Sequence, residues 1–247
     1  MPDTRNHRGP DPEDERLFAP EMWPLLRQAT DDLCWLLNHA YAARSALELV
    51  GNHYSFSARQ RLAVMRSACP DQAAKERAFR QIGSKQLDGQ ELWIDGLNVL
   101  TGLEVALSGG MVLIGRDGCC RDIAGLHRNY RKVEETRLAL QLVGELTALW
   151  RVRKCRWWLD KPVSNTGRLK TTILELAAQS GLDWEADLVY SPDSILSHTE
   201  QIVASADSVI LDRCQRWFNL VRMVIDQRIP QSRMVDLSQA LLPDCPL

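Results

Sequence analysis

ELWIDGLNVLTG, residues 91–102, decides how this chain is read. A run of large apolar residues ends in Asp95-Gly96, with Asn98 close behind, and then passes into an apolar pattern of helical spacing. That is how a buried strand turning at once into a helix is written. A carboxylate directly after a buried strand is unfavourable unless it has a partner or a task. Gly96 permits a tight turn or a positive φ at the reversal. Asn98 is placed to hold the Asp95 carboxylate or a metal-bound water.

Towards the C-terminus, ELWI, MVLIG, RWWL, DLVY and QIVAS read as strands. Between them NVLTGLEVALS, residues 131–150, GRLKTTILELAAQ and residues 209–227 read as helices. The alternation predicts a three-layer α/β/α domain with a mostly parallel sheet over residues 90–247. Towards the N-terminus the spacing is helical throughout. WPLLRQATDDLCWLLNHAY, ARSALELVGNHY, a helix capped by Ser57, and DQAAKERAFRQIG make residues 19–86 a small all-α module. Residues 1–18, charged and proline-containing, are expected to be a flexible tail.

Bulk properties exclude little. With 247 residues, 45% apolar and 25% charged, the chain is an ordinary globular protein with room for a full core. The net charge of -2 announces neither nucleic acid nor a membrane surface. Local basic clusters exist all the same: Arg151, Arg153, Lys154 and Arg156 before a strand, and Arg116, Arg121, Arg128, Arg131 and Lys132 around a loop. Seven cysteines, an odd number with no CxxC, are expected to be reduced thiols in a cytoplasmic protein. No apolar run is long enough to span a membrane. The five histidines lack ligand spacing with the cysteines, which argues against zinc.

In a parallel sheet, ligands bind beyond the carboxyl ends of the strands, where the strand order reverses. Asp95 follows the first strand, Asp117 and Asp122 follow the second, and Asp160 ends the third. Asp207 follows QIVAS, with Asp212 five residues on. Carboxylates gathered at one edge repel one another and persist most readily around divalent cations such as Mg²⁺ or Mn²⁺. Two such ions can activate a water and stabilise a leaving oxygen in phosphodiester cleavage. Each acid taken singly is equally well explained as an Asx turn or a helix N-cap. The repetition from strand to strand is what favours a site.

Other residues join it with less force. Ser205, two residues before Asp207, is placed to orient that acid or a phosphate. In PVSNTGRLK, Ser164, Asn165 or Thr166 can cap the next helix, whose N-terminus with Arg168 and Lys170 suits a phosphate. A capped helix with solvated basic residues explains the same string equally well. Arg121 is a further candidate for contact with substrate. His127 is a proton carrier or a solvated loop histidine. Cys119-Cys120 and Trp93, Trp157 and Trp158 read as packing residues.

These motifs resemble known families. The Asp95-Gly96-x-Asn98 turn, Asp160 after a central strand and Ser205-x-Asp207 after a late one look like the acidic positions of PIN-like domains, including the NYN branch. CWLLNHAYAARSALELVGNHYSFSARQRLAVMRSAC resembles an uncharacterised prokaryotic family, domain of unknown function 434. DGLNVLTGLEVALSGG, DGCCRDIAGLHRNYRKVEET and LDKPVSNTG look like its usual PIN-like companion. The resemblance implies a Mg²⁺- or Mn²⁺-dependent nuclease, with RNA as the expected substrate and DNA as the alternative. Asp95, Asp160 and Asp207 would then hold metal, completed by Asp122 or Asp212, with Asn98 and Ser205 orienting. PIN-like families also carry a helix-borne acid, and Glu104, Asp122, Glu134 and Glu135 all compete for that place. A non-catalytic binding module on the same fold, or a small-molecule phosphate hydrolase with a closed pocket, would use the same residues. For the helical module an RNA-binding face and a homodimer contact are both open.

Overall fold

The computed structural model describes residues 10–123 and 134–238. The N-terminal part is helical: α1 (Asp14–Leu17), α2 (Trp23–Asn38), α3 (Ala43–His53), α4 (Ala58–Ser67) and α5 (Asp71–Arg80). Ser57 starts α4 as expected, through a capping box. Its hydroxyl accepts the Gln60 N–H at 3.3 Å, and the Gln60 side chain accepts the Ser57 N–H at 3.2 Å.

From residue 91 the chain runs β1 (Glu91–Asp95), α6 (Gly96–Leu107), β2 (Met111–Ile114), β3 (Cys120–Asp122) and α7 (Glu135–Leu149). It continues with β4 (Lys154–Asp160), α8 (Thr166–Ser180), β5 (Trp184–Val189), α9 (Pro192–Leu196) and β6 (Ile202–Ala204). It then passes through α10 (Ser208–Leu211), β7 (Arg216–Trp217), α11 (Leu220–Arg228) and β8 (Arg233–Asp236).

Five strands form a parallel sheet in the order β5-β4-β1-β6-β7. Alternation along each strand sends side chains to two layers. Leu92, Ile94, Trp157, Leu159 and Ile202 enter a core covered by α6, α7, α8 and α11. Trp158, Val203 and Trp217 face the opposite way, under α9 and α10. The result is an α/β/α arrangement with one thick helical layer and one thin one.

β2, expected in this sheet, lies outside it. β2 is the centre of a second sheet, β3-β2-β8, with β3 antiparallel and β8 parallel to it. Both faces of β2 are buried. Met111 and Leu113 pack with Leu26, Leu33 and Val64 of the helical elements, while Val112 and Ile114 face the α/β core. The helical residues and the second sheet therefore share one hydrophobic cluster.

Two further expectations change. The helix read over residues 209–227 is interrupted, because Arg216 and Trp217 pair with β6 and the Trp217 indole donates to the Arg77 carbonyl at 2.7 Å. Tertiary pairing overrides local periodicity there. Residues 14–17, read as tail, form α1; Leu17 and the following Phe18 are buried, and Asp14 takes the Arg59 guanidinium at 2.5 Å. Residues 1–9 of that tail lie outside the described residues.

Candidate active site

The chain moves from β1 outward through β4 to β5, then crosses to β6 and β7 on the other side. The strand order thus reverses between β1 and β6, and a parallel sheet opens its crevice at such a point. Asp95 ends one of these strands and Ser205 follows the other. The Ser205 hydroxyl donates to Asp95 Oδ2 at 2.8 Å and accepts the Asp207 N–H at 3.0 Å. Asn98 does not hold Asp95 by its side chain: its Oδ1 accepts the Ala206 N–H at 2.8 Å. Arg121 fixes the Ala206 carbonyl from the other side at 2.9 Å.

Gly96 serves a different purpose from the one expected. Its φ is not positive; instead a Cβ there would stand 2.4 Å from Leu159 Cδ2 and 3.1 Å from the Trp158 carbonyl. The missing side chain lets the β1–α6 turn sit directly on β4.

Asp95 is 5% exposed. Burial raises its pKa to about 7, the charges of Asp193 and Asp207 add to that, and the Ser205 hydroxyl opposes it. Asp160 is raised by burial and by Asp193, and Asp193 by burial and by Asp207. Four aspartates from four strand ends thus feel one another at this edge. Asp193, near the start of α9, is coupled electrostatically to each of the other three and was missed in the sequence. The signal was present in SPD directly after the strand DLVY, a fifth acid beyond a fifth strand.

Other predicted residues lie elsewhere. Asp122 belongs to the second sheet, where it faces Arg66 at 3.5 Å. Asp212 follows α10 and pairs with Arg77 at 2.6 Å. Neither joins the four acids. Arg121 is locked on Asp117 at 2.6 Å, a carboxylate that Arg77 also holds at 2.5 Å. Burial alone would raise the Asp117 pKa, but the two guanidinium groups outweigh it and hold the carboxylate ionised. Glu104 is buried in α6 and accepts the Thr136 hydroxyl at 2.6 Å, eight residues or about 12 Å of helix rise past Gly96. Glu134 and Glu135 sit at the start of α7.

Ser164, Asn165 and Arg168 are exposed at the N-terminus of α8, directly beyond Asp160, with Lys170 half-buried. Asn165 takes the N-cap position with φ 70° but makes no side-chain cap. Arg153, Lys154 and Arg156 pair with Glu91, Glu185 and Asp187 at the amino end of the sheet, away from the acids. His127, Arg128, Arg131 and Lys132 lie outside the described residues. Cys119 and Cys120 are buried free thiols, and burial pushes Cys120 up to about 12.

Asp95, Asp160, Asp193 and Asp207 offer hard oxygen donors, suited to Mg²⁺ or Mn²⁺ rather than to thiolate-seeking metals. Among the described residues no three His, Cys, Asp or Glu side chains converge closely enough to hold an ion together. The edge is not a closed protein cage. Its donor set fits an ion bound through one or two carboxylates that keeps several waters, as Mg²⁺ usually does in proteins.

Residues 84–223 match a family described as Domain of unknown function (DUF5616), and residues 25–80 match one described as Protein of unknown function (DUF434). The uncharacterized protein MJ0935 of Methanocaldococcus jannaschii is 30% identical over 186 residues, covering 75% of this chain and 88% of that protein. No solved structure matches. Among the described residues no helix is long and apolar enough to cross a membrane.

Proposed function

The chain belongs to the DUF5616 family, with a DUF434 segment ahead of it, and for it we propose a PIN-like, divalent-cation-dependent phosphodiesterase that cleaves RNA internally. One observation carries this reading. Asp95 is buried at the point of strand reversal, and its neighbours Asp193 and Asp207 raise its affinity for positive charge. Buried carboxylates with shifted pKa values cluster at functional sites.

On this reading Asp95, Asp160, Asp193 and Asp207 are the residues that would hold the ion. A bound Mg²⁺ or Mn²⁺ would supply the Lewis acid that activates water and stabilises the leaving oxygen. Ser205 holds Asp95 Oδ2 and so fixes the orientation of the carboxylate. Asn98 and Arg121 grip Ala206 by its N–H and its carbonyl, which sets the chain between Ser205 and Asp207. Ser164, Asn165, Arg168 and Lys170, at the end of α8 next to Asp160, receive the phosphate backbone of the strand.

The experiment is cleavage of single-stranded RNA, with DNA in parallel, in Mn²⁺ and in chelator. Asp95→Asn and Asp193→Asn should each reduce the rate by at least a hundred-fold while leaving the fold intact. An equal rate in chelator would refute the reading. A second reading, a binding module without catalysis, draws on the internal bonds these acids already make: Asp95 with Ser205, and Asp207 as N-cap to Val209 at 2.7 Å. It predicts that Asp95→Asn binds RNA as well as the parent does, with no metal requirement.

A further inference from the structure

A cavity of about 440 Å³ lies between the helical elements and the carboxyl edge, within the usual range for small-ligand sites. Met65, Arg66 and Ala68, in and just after α4, line one side. Asn98 and Thr101, one turn apart on α6, line the other, and Asp207 joins the cavity to the acid group.

Thr101 is the informative residue. It is 1% exposed, and its hydroxyl has no hydrogen-bond partner among the described residues. Other helical threonines of this chain satisfy themselves. Thr30, Thr147 and Thr172 donate to the carbonyl four residues back at 2.8, 2.8 and 3.1 Å. Thr101 makes no such bond, and a buried hydroxyl left unpaired is unfavourable. Thr101 is part of the cavity wall, and a turn about its χ1 would bring the hydroxyl to a ligand atom there.

Charge narrows the ligand. Each arginine at the cavity already faces an acid: Arg66 faces Asp122, Arg77 faces Asp117 and Asp212, and Arg121 faces Asp117. Every guanidinium at the cavity is thus already taken by a carboxylate, and Asp207 adds a further negative charge to the wall, so among the described residues no cation is left over to hold a phosphate. A neutral, planar group with its own donors and acceptors suits it better. The Thr101 hydroxyl both donates and accepts, and Asn98, its Oδ1 taken by Ala206, keeps its amide NH₂ to donate. Met65, Ala68 and Cys120 supply the apolar part of the wall.

We propose that this cavity receives one nucleobase of the strand whose phosphate lies at the acid edge. The placement of that strand rests on the phosphodiesterase reading. The proposal also gives the helical elements a task, since α4 and the residues after it build half of the base site.

The test uses the full chain in chelator, titrated by NMR with the four free nucleosides and with single-stranded tetranucleotides of each base. At least one nucleoside should bind, and its tetranucleotide should bind more tightly. Thr101→Val, which keeps the shape and removes the hydroxyl, should weaken both about five- to ten-fold, the size of one hydrogen bond. Ala68→Leu, which fills the cavity from the other wall, should do the same by a different route. Absence of binding, or binding indifferent to both variants, overturns the proposal. A nucleoside bound as tightly as its tetranucleotide overturns the strand and puts a free nucleoside there. The two readings fail separately. Variant-sensitive binding of the tetranucleotide without cleavage in any metal supports the base site and removes the phosphodiesterase. Cleavage without nucleoside binding does the reverse.

Discussion

Burial couples the ionisation of Asp95 to folding. In the unfolded chain its pKa is that of an ordinary aspartate, and in the fold it is about 7. Between those values the folded state binds the extra proton, so stability falls as pH rises from about 4 to about 7 and stays lowered above that. Asp95→Asn removes the charge. It should therefore stabilise the protein at pH 8 by roughly 2–4 kcal/mol and change it little at pH 4, as thermal melts at the two pH values will show. Mn²⁺ should recover much of the difference in the parent and none in the variant. A melting temperature for the variant that is lower at pH 8 would contradict the assignment. Gly96→Ala puts a methyl against Leu159 and the Trp158 carbonyl, and should cost about 1–3 kcal/mol in denaturant unfolding. Gly167→Ala, in α8 with open space around it, should gain about 0.5–1 kcal/mol in the same assay. Asp95 and Ser205 were legible because a polar residue after an apolar run contrasts sharply with it. Asp193 was not, because SPD reads as turn chemistry until the fold packs α9 against β1 and β4.

At the scale of elements, local signals were honest where nothing distant competed. The Ser57 capping box and the β1–α6 turn follow directly from the residues at those positions. The interruption of the helix read over 209–227 depends on β6 and α5, which no local window contains. The same holds for β2. MVLI is a fully buried strand in any sheet, and only its pairing with β3 and β8 takes Asp117 and Asp122 away from the acid edge. What replaces them is an ion network. Arg77 of α5 is held by Asp117 and Asp212, and Asp117 also by Arg121, with the Arg77 and Asp117 side chains only 3% and 1% exposed. Removing one partner leaves buried charge uncompensated. Arg77→Met should cost about 3–5 kcal/mol in denaturant unfolding, whereas Arg151→Met, whose partner Asp88 is in water, should cost nothing measurable.

At the scale of the molecule, the change in sequence character near residue 90 marks a real change of architecture but not a seam. Met111, Leu113, Ile123, Val235 and Leu237 complete the hydrophobic cluster that Leu26, Leu33 and Val64 begin. A fragment starting at residue 84 would expose that face of the second sheet. It should aggregate or sediment as large species, while the full chain stays dispersed under the same conditions. A well-folded monomeric fragment would show that the helical residues are dispensable to the core. The shared core also places α4 and Thr101 on two sides of one cavity.

The acid edge is the centre of the account, and Mn²⁺ titration by calorimetry on the full chain at pH 8 tests it most directly. Parent protein should bind Mn²⁺ in the micromolar range, and Asp95→Asn and Asp193→Asn should each abolish that binding while melting as cooperatively as the parent. Binding that is absent from the parent, or that survives in both variants, would contradict a cation site built from these carboxylates.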